Sequence, residues 1–558
     1  MVSRVKCRTD VLFFSITALF ALILFIRTVV LIVKAPDTVG RDYNNPVVSP
    51  QVIRGTITDR NGRILAVETP YYSCALALNF VKDLEKTAEI LAPAIGMEVG
   101  NIIDTTKRYQ TYALLVRRLS DIQRTAVEQL VKQHSLTGVV IEKRFGRSYP
   151  FHYHASQIIG FTNADNQGIE GLELAYDRIL SPYPGLSQEI TYGNTIQLTL
   201  DMDIQFLLDQ QIVEIDREHY GDYILGIVME ANTGEILAAS TFPWYDPNEY
   251  GSTTFDQRQN RIVTYQYEPG SVFKIYSLAS VLEADQADYD TELFYCDGSY
   301  TFTTARGTDV TIGCVSEHGW IDPETMIKKS CNGAIAHWSL QTNDTEFRSV
   351  LEKFHFGLAW KIGMPGEASG KLSSITTWSA RTKPTISFGQ ELSVTALQIA
   401  SAATAIANSG TLLAPSIVKG IYNHDGTIIE SSVPRLDSKQ IISEQTATAI
   451  LSYMNSATEV GGTGKLTSVE GISVSSKTGT AQIMNSKTGT YDENMFMAST
   501  LSIVPTEKPA YIIYIAVANP KGSTIWGSNI AAPAIAEIIK GLIRQGKLFS
   551  SDSETVSL

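Results

Sequence analysis

The sequence predicts a protein of the α+β class, with an antiparallel sheet flanked by helices. Alternating apolar residues over 224–240 predict two strands around the turn Asn232–Gly234, and strand-like segments recur near 471–483 and 496–518. A helix-rich middle lies between these strands, and an amphipathic helix follows them from about residue 531. Because strands near both ends enclose the helices, distant segments must complete one sheet.

Length and charge bound the class of protein. The chain has 558 residues, of which 44% are hydrophobic and 18% charged, and its formal net charge is −13. At about 100–200 residues per domain this length allows several domains with a large core, which excludes disordered and disulfide-scaffold proteins. The acidic balance argues against a nucleic-acid partner, which would require a basic surface.

One membrane-spanning helix is predicted over residues 11–33. This run is apolar apart from Arg27 and a few hydroxyl residues, and at about 1.5 Å per residue it can cross a hydrocarbon core of about 30 Å. Residues 1–10 contain three basic residues and one acidic residue, which predicts a cytoplasmic N-terminus. A cleaved signal peptide is the alternative, although its apolar run would be shorter. Arg27 either extends to the lipid headgroups or contacts a partner membrane helix.

Two domains and a tail are predicted beyond this helix, over residues 34–195, 196–546 and 547–558. The first domain contains a predicted hairpin, Arg54–Ala66, around the turn Asn61-Gly62. The boundary is placed where a strand leads into a long amphipathic helix. The tail is predicted to be disordered.

The cysteines leave two readings open. Cys296 and Cys314 lie 18 positions apart across a Gly- and Thr-rich segment, so they either form a disulfide outside the cytoplasm or remain independent buried thiols. No C-x-x-C pair occurs and the histidines show no ligand spacing. We therefore expect no metal site and no cofactor.

Ser271 and Lys274 form the first candidate catalytic pair. They follow a Pro-Gly turn in the segment EPGSVFK, where a helix is predicted to begin, and residues three apart meet on one helix face. A lysine with a lowered pKa can act as the base for a serine nucleophile, and the N–H groups at a helix N-terminus favour developing negative charge. Alone the pattern is weak, because a solvated surface pair also explains it.

Two further motifs support catalysis. Ser330-Cys331-Asn332 offers a hydroxyl for proton relay and an amide for holding a substrate amide. Lys477-Thr478-Gly479-Thr480 follows a strand-like segment and offers an ammonium, two hydroxyls and an unhindered backbone, which suit an anionic peptide terminus. This order of three motifs is found in penicillin-binding proteins and class A β-lactamases.

A second K-T-G-T sequence occurs ten residues later, at Lys487-Thr488-Gly489-Thr490. It lies in a polar stretch between two strand-like segments, where a hairpin loop is the simpler interpretation. The two copies are chemically identical, so only their context favours Lys477.

The chain resembles the class B penicillin-binding proteins, single-pass membrane D,D-transpeptidases that cross-link peptidoglycan. The resemblance extends from the anchor to about residue 545 and implies a serine transpeptidase fold preceded by an elongated, non-catalytic pedestal domain. The segments that carry it are RGTITDRNGRILA, RSYPFHYHASQIIGFTNADNQGIEGLE, EPGSVFK, SCN, FGQELSVTALQIASAATAIANSG and SKTGTAQ.

The resemblance implies a role for each motif. Ser271 would be acylated by a stem peptide ending in D-Ala-D-Ala, with Lys274 as the general base and D-Ala as the leaving group. Ser330 would relay a proton to the leaving amine, and Asn332 would bind the donor peptide backbone. Lys477 would support the proton path and the local positive field. An amine of a neighbouring stem peptide would then take the acyl group.

The same family pattern assigns the remaining site residues. Thr478 and Thr480 would hold the substrate carboxylate beside Gly479, and the N–H groups of Ser271 and Thr480 would form the oxyanion hole. β-Lactams would acylate Ser271. The implied partners are peptidoglycan stem peptides or lipid-linked nascent glycan, a membrane-embedded glycan polymerase and divisome proteins. The implied location is the bacterial inner membrane, with the catalytic domain outside the cytoplasm.

The second motif, S-x-N, and the RSYP…HASQIIGF stretch resemble the septal, FtsI-like branch more than the elongation branch.

One alternative to a transpeptidase is a β-lactamase or D,D-carboxypeptidase, which uses water as the acceptor. A separate pedestal and the lack of an added general base count against it. The other is a β-lactam sensor or a catalytically silent division scaffold. A sensor would carry several membrane spans and a cytoplasmic effector, and a silent scaffold would be expected to lose one of the three motifs, all of which are intact here.

Overall fold

The computed structural model describes residues 22, 52–184, 190–284, 293–431, 439–484 and 491–549. The predicted membrane helix (apart from Leu22), most of the predicted tail and the second K-T-G-T sequence lie outside the described residues. No helix in the described part of the chain is both long and apolar enough to cross a membrane. The described residues within 52–183 and 191–549 belong to one compact unit.

The described N-terminal region begins with the predicted hairpin. Ile57 pairs with Ala66 in antiparallel register, and Gly62 adopts the positive φ of +84° that the turn requires. The strands here are β1 (Val52–Ile53), β2 (Ile57–Thr58), β3 (Ile64–Ala77), β4 (Tyr112–Leu119), β5 (Val139–Ser148), β6 (Thr191–Tyr192) and β7 (Thr195–Leu198). The helices are α1 (Leu84–Ile95), α2 (Val99–Lys107), α3 (Asp121–His134), α4 (Ser156–Ile159), α5 (Gly171–Ala175) and α6 (Asp177–Leu180).

The remainder of the described chain supplies the larger domain. Its helices are α7 (Met202–His219), α8 (Phe255–Arg258), α9 (Arg261–Thr264), α10 (Lys274–Glu283), α11 (Pro323–Lys329), α12 (Asn332–Gln341), α13 (Asp344–Lys353), α14 (Thr382–Ser387), α15 (Ala396–Ala407), α16 (Glu444–Ser456) and α17 (Gly527–Arg544). Its strands are β8 (Tyr223–Glu230), β9 (Ile236–Phe242), β10 (Phe294–Cys296), β11 (Ser299–Thr303), β12 (Asp309–Gly313), β13 (Gly319–Ile321), β14 (Thr411–Leu412), β15 (Val418–Tyr422), β16 (Ile428–Ser431), β17 (Lys439–Gln440), β18 (Ser475–Met484), β19 (Tyr491–Val504) and β20 (Tyr511–Ala518).

The central sheet has the strand order β18-β19-β20-β8-β9 and is antiparallel throughout. Alternate residues of β20 face opposite layers, as the two-residue period of a strand requires. Ile513 and Ile515 pack in the cluster that includes α7 and α17. Ile512 and Tyr514 pack in the cluster that includes α10 and α15. The predicted α+β class, with one sheet built from distant segments, is confirmed.

A second sheet crosses the predicted domain boundary. Its order is β16-β15-β7-β2-β3-β4, with β5 also paired to β3. Strands β15 and β16 therefore come from the larger domain's part of the chain, while β7 begins at Thr195. The N-terminal sheet is completed by a segment more than two hundred residues further along.

A buried ion network holds the N-terminal domain together. Glu173 accepts from Arg54 Nε at 2.7 Å and from Arg147 Nε at 2.5 Å. Arg54 also pairs with Asp177 at 2.7 Å. The side chains of Arg54, Arg147 and Glu173 are at most 1% exposed. Glu173 lies on α5, within the GIEGLE segment. Its ion pairs connect α5 to Arg54, which precedes β2, and to Arg147 on β5.

Replacing Glu173 with alanine is expected to cost about 3–5 kcal/mol of unfolding free energy, because a guanidinium is then buried without its carboxylate. Urea unfolding followed by circular dichroism should show a lower midpoint. The matched control is Asp104→Ala, which breaks the exposed pair with Lys107 and should leave the midpoint unchanged. Equal midpoints for Glu173→Ala and the unmodified protein would contradict a structural role for the network.

Candidate active site

Ser271 lies in a tight turn that ends against the central sheet. The turn Gly270–Phe273 is a 3₁₀ helix, and α10 begins only at Lys274. The helix predicted to begin at this point is present, and its first turn is a 3₁₀ helix, in which side chains three apart also align. Gly270 has φ +57°, and a Cβ there would lie 2.8 Å from Cβ of Ala481. Glycine is needed for both the backbone angle and the approach to β18.

Lys274 joins the first two motifs. Its Nζ lies 2.9 Å from Ser271 Oγ, 2.7 Å from Ser330 O, 3.0 Å from Ser330 Oγ and 2.6 Å from Asn332 Oδ1. The residue is fully buried. Burial disfavours the charged ammonium and lowers the pKa of Lys274 to about 8. A fraction of the side chain is therefore neutral near physiological pH and able to accept a proton from Ser271.

The second motif sits between two helices. Ser330 ends α11 in the left-handed region, with φ +60°, a conformation that is strained for a residue with a side chain. Cys331 caps α12, and Asn332 is the first residue of that helix. Asn332 Nδ2 donates to Gly313 O at 3.0 Å. Both ends of this amide thus have protein partners.

Lys477 reaches the same hydroxyl from β18. Its Nζ donates to Ser330 Oγ at 3.0 Å and to Thr478 O at 3.0 Å. Burial, followed by repulsion from Lys274, holds the pKa of Lys477 well below its ordinary value.

The third motif lies on β18, the edge strand of the described central sheet. A Cβ on Gly479 would approach Val272 Cγ2 and Ser499 Oγ to 2.8 Å, so glycine allows the strand to pack against the Ser271 turn. Thr480 Oγ1 accepts from Gly527 N at 3.2 Å. Thr478 and Thr480 both line the cleft, as the sequence predicted for this motif.

The three motifs border one cleft of about 510 Å³. Lys274 and Lys477 lie buried beneath it. The predicted site residues that line it are Ser271, Ser330, Asn332, Thr478, Gly479 and Thr480. Val315 and Trp526 also line the cleft, and both side chains are exposed. They come from loops without a recognisable motif, so sequence reasoning missed them.

The FGQELS segment supports the nucleophile turn. Gly389 O accepts from Gly270 N at 3.0 Å, and a Cβ on Gly389 would lie only 2.1 Å from Gly270 O. Gly389 also has φ +85°. This contact gives a physical reason for a glycine in a segment that the sequence marked only by resemblance.

The cysteines do not behave as the sequence suggested. Cys296 and Cys314 are both free, so the disulfide reading is wrong. Cys314 Sγ lies 3.7 Å from Cys331 Sγ. Although the sequence shows no ligand spacing, Cys296, Cys314, His318 and Cys331 bring their ligand atoms within 4.8 Å of one another in the fold.

The profile of the penicillin-binding protein transpeptidase domain matches residues 224–540, more than half of the chain. This chain belongs to that family. The profile of the penicillin-binding protein dimerisation domain matches residues 49–197. The order of dimerisation and transpeptidase domains is that of class B penicillin-binding proteins, so the resemblance is confirmed.

Relatives match over nearly the whole length. Stage V sporulation protein D of Bacillus subtilis is 29% identical over 508 residues, 87% of this chain and 77% of that protein. A probable peptidoglycan D,D-transpeptidase, PenA of Neisseria meningitidis, is 29% identical over 522 residues, 89% of this chain and 86% of that protein. Penicillin-binding protein 3 of Mycobacterium tuberculosis, crystallised with ampicillin, has a TM-score of 0.72 and 25% identity, covering 90% of this chain and 97% of that one.

The chain is thus a serine-type peptidoglycan D,D-transpeptidase. Family membership favours an amine acceptor over the water acceptor of a β-lactamase or D,D-carboxypeptidase, and it favours catalysis over a silent scaffold.

Proposed function

We propose that this transpeptidase cross-links peptidoglycan during septal wall synthesis, with Ser271 as the acylated nucleophile. The observation that carries the catalytic part is the position of Lys274 Nζ, which contacts Ser271, Ser330 and Asn332 at once. A buried amine with a lowered pKa, within hydrogen-bond distance of a serine hydroxyl, satisfies both the geometric and the pKa requirement of a general base.

Acylation begins when neutral Lys274 takes the proton of Ser271 as Oγ attacks the carbonyl of the penultimate D-Ala. The N–H groups of Ser271 and Thr480 hold the resulting oxyanion. The C–N bond to the terminal D-Ala then breaks, and Ser330 Oγ relays a proton to the leaving amine. Ser330 is suited to this relay because both lysine Nζ atoms lie 3.0 Å from its Oγ.

The acceptor step reverses these roles. An amine of a neighbouring stem peptide attacks the acyl carbonyl and loses a proton to the Lys274–Ser330 pair. The ester bond to Ser271 Oγ then breaks, and Lys274 returns a proton to Oγ. Before acylation, Thr478 and Thr480 bind the carboxylate of the donor's terminal D-Ala beside the unhindered backbone of Gly479. Asn332 binds the donor backbone by exchanging its contact with Gly313 for the peptide.

β-Lactams are proposed to acylate Ser271 and to form a slowly released adduct. Ampicillin and aztreonam are bound in crystal structures of the Mycobacterium tuberculosis relative. The proposed location is the bacterial inner membrane, anchored by residues 11–33. The pedestal is proposed to span residues 34–195 and the catalytic domain residues 196–546. A membrane-embedded glycan polymerase and divisome proteins are the proposed partners.

The septal assignment rests on the S-x-N motif and the RSYP…HASQIIGF stretch, and relatives named FtsI lie among the matches. The test is depletion of the protein in growing cells. Filamentous cells that fail to divide are the expected outcome. Rounded cells would indicate the elongation branch instead. Normal growth with defective spores would indicate a role like that named for the Bacillus subtilis relative.

Lys477→Ala is expected to slow labelling by a fluorescent penicillin by about 10²-fold or more, because it removes one of two amines that hold Ser330 Oγ. Lys487→Ala, which changes the chemically identical second K-T-G-T sequence, is the matched control and should label at the rate of the unmodified protein. Loss of labelling in Lys487→Ala, with retention in Lys477→Ala, would assign the third motif to the other copy.

A further inference from the structure

Four potential metal ligands converge next to the second catalytic motif. Cys296 ends β10, Cys314 follows β12, His318 precedes β13 and Cys331 caps α12. Their three Sγ atoms and one imidazole nitrogen all lie within 4.8 Å of one another. Four separate segments of chain therefore deliver one ligand atom each to a single point.

Two of the spacings between these atoms are close to those of tetrahedral coordination. Cys314 Sγ and Cys331 Sγ are 3.7 Å apart, and Cys296 Sγ lies 3.3 Å from His318 Nδ1. Zinc bonds are about 2.3 Å long to sulfur and about 2.0–2.1 Å long to nitrogen. In a tetrahedral site these lengths place two sulfur ligands about 3.8 Å apart, and a sulfur and a nitrogen ligand about 3.6 Å apart. A disulfide would instead require the sulfurs at about 2.05 Å.

The surroundings stabilise thiolates. Gly333 N donates to Cys314 Sγ at 3.3 Å, and Ala334 N donates to Cys331 Sγ at 3.5 Å. Cys331 also caps the ten-residue helix α12, and a helix N-terminus favours a thiolate over a thiol. N–H donors to sulfur are a regular feature of protein metal centres, where they orient the ligands.

We propose that Cys296, Cys314, His318 and Cys331 bind one zinc ion. Three thiolates and an imidazole select zinc over the hard cations magnesium and calcium, which prefer oxygen. Four protein ligands leave no open position for water or substrate, so the ion is structural rather than catalytic.

The position of the ion indicates that it holds active-site residues in place, an inference that rests on the proposed function. Cys331 stands between Ser330 and Asn332, whose side chains both contact Lys274. Cys314 follows Gly313, whose carbonyl accepts from Asn332. A zinc ion on Cys314 and Cys331 holds Asn332 and its partner Gly313 in place and keeps Ser330 in its strained left-handed conformation.

The test is metal analysis of the full-length chain, purified in detergent without chelator, loaded with Zn²⁺ and desalted. We expect about one zinc per chain. Cys296→Ser and His318→Ala should each lower bound zinc at least tenfold. Cys74→Ser is the matched control, because Cys74 is equally buried but lies on β3, outside the cluster, and it should retain the metal.

Cobalt gives a second readout that does not depend on the variants folding. Unmodified protein treated with chelator and reloaded with Co²⁺ should show thiolate-to-cobalt charge-transfer bands and the intense visible bands of tetrahedral Co²⁺. An unmodified protein that keeps neither zinc nor cobalt after desalting would overturn the proposal.

Thiol titration distinguishes a metal site from a disulfide. The chain has five cysteines, and all five should react when the unreduced protein is denatured in chelator. Three reactive thiols would mean that one pair is oxidised, and the proposal would be wrong.

The positioning role has its own test. Removal of the metal should slow penicillin acylation at least tenfold, and added Zn²⁺ should restore the rate. Full-rate acylation by metal-free protein would overturn the positioning role. Zinc-loaded protein that never acylates would overturn the proposed function and leave the metal site standing.

Discussion

Ser271→Ala is expected to abolish the covalent penicillin adduct. The variant removes the oxygen that forms the ester bond. Among the described residues, Ser330 has the only other hydroxyl in contact with Lys274 Nζ. Intact-mass spectrometry should show complete modification of the unmodified protein and none of the variant under the same conditions. The expected loss is total rather than partial, because the nucleophile itself is removed.

The matched control is Ser280→Ala, on α10, the helix that follows the Ser271 turn. Ser280 is also buried, but its hydroxyl donates to Tyr276 O and lies outside the cleft. This variant should be modified as fast as the unmodified protein. An adduct that persists in Ser271→Ala would place the nucleophile elsewhere, and Ser330 would then be the first residue to examine.

Lys274→Ala is expected to lower the acylation rate by about 10²–10⁴-fold, the usual contribution of a general base. Lys274→Arg separates the base from the charge, since arginine keeps a cation but cannot lose its proton at ordinary pH. Both variants should be slow if Lys274 acts as a base. Rapid acylation by Lys274→Arg would mean that the residue supplies only positive charge. The surface variant Lys540→Ala should be unaffected.

The pH dependence follows from the lowered pKa of Lys274, about 8. The neutral amine is the reactive form, so acylation should rise with pH and level off above about 8. Below this pKa the ammonium cannot accept the Ser271 proton, and the rate should fall about tenfold per unit of pH. Stopped-flow measurement of β-lactam acylation gives the profile, with circular dichroism at each pH to verify folding. A rate that is flat across this range would contradict the assignment.

Local pattern was enough to predict the elements that position the site. The alternation over 224–240 predicted β8 and β9, and the apolar stretch after residue 496 predicted β19 and β20. The three-residue spacing of Ser271 and Lys274 predicted their contact, because side chains at this spacing meet in both α and 3₁₀ helices. Because both helix types satisfy this spacing, the sequence could not distinguish a 3₁₀ helix from an α-helix at this point.

Features that depend on distant packing could not be predicted. The contact of Lys274 with Ser330 joins residues 56 positions apart, and the lowered pKa of both lysines results from burial that only the assembled sheet and helices create. Strand β16 joins the N-terminal sheet although all of its residues are exposed. Without a buried face it has no apolar alternation to detect.

The cysteine cluster was missed for a related reason. Its ligands come from four segments, and a search for close C-x-x-C pairs cannot find such a site. One signal was present, namely Cys314 and His318 at four-residue spacing, followed by a cysteine inside the catalytic motif itself.

The most direct test of transpeptidation is acceptor competition with a donor stem peptide ending in D-Ala-D-Ala. Free D-Ala, cross-linked product and hydrolysed donor are measured as an amine acceptor is increased. We expect the cross-linked product to rise at the expense of the hydrolysed donor, with no D-Ala released by Ser271→Ala. Release of D-Ala that yields only hydrolysed donor at every acceptor concentration, or release that survives the loss of Ser271, would contradict the account.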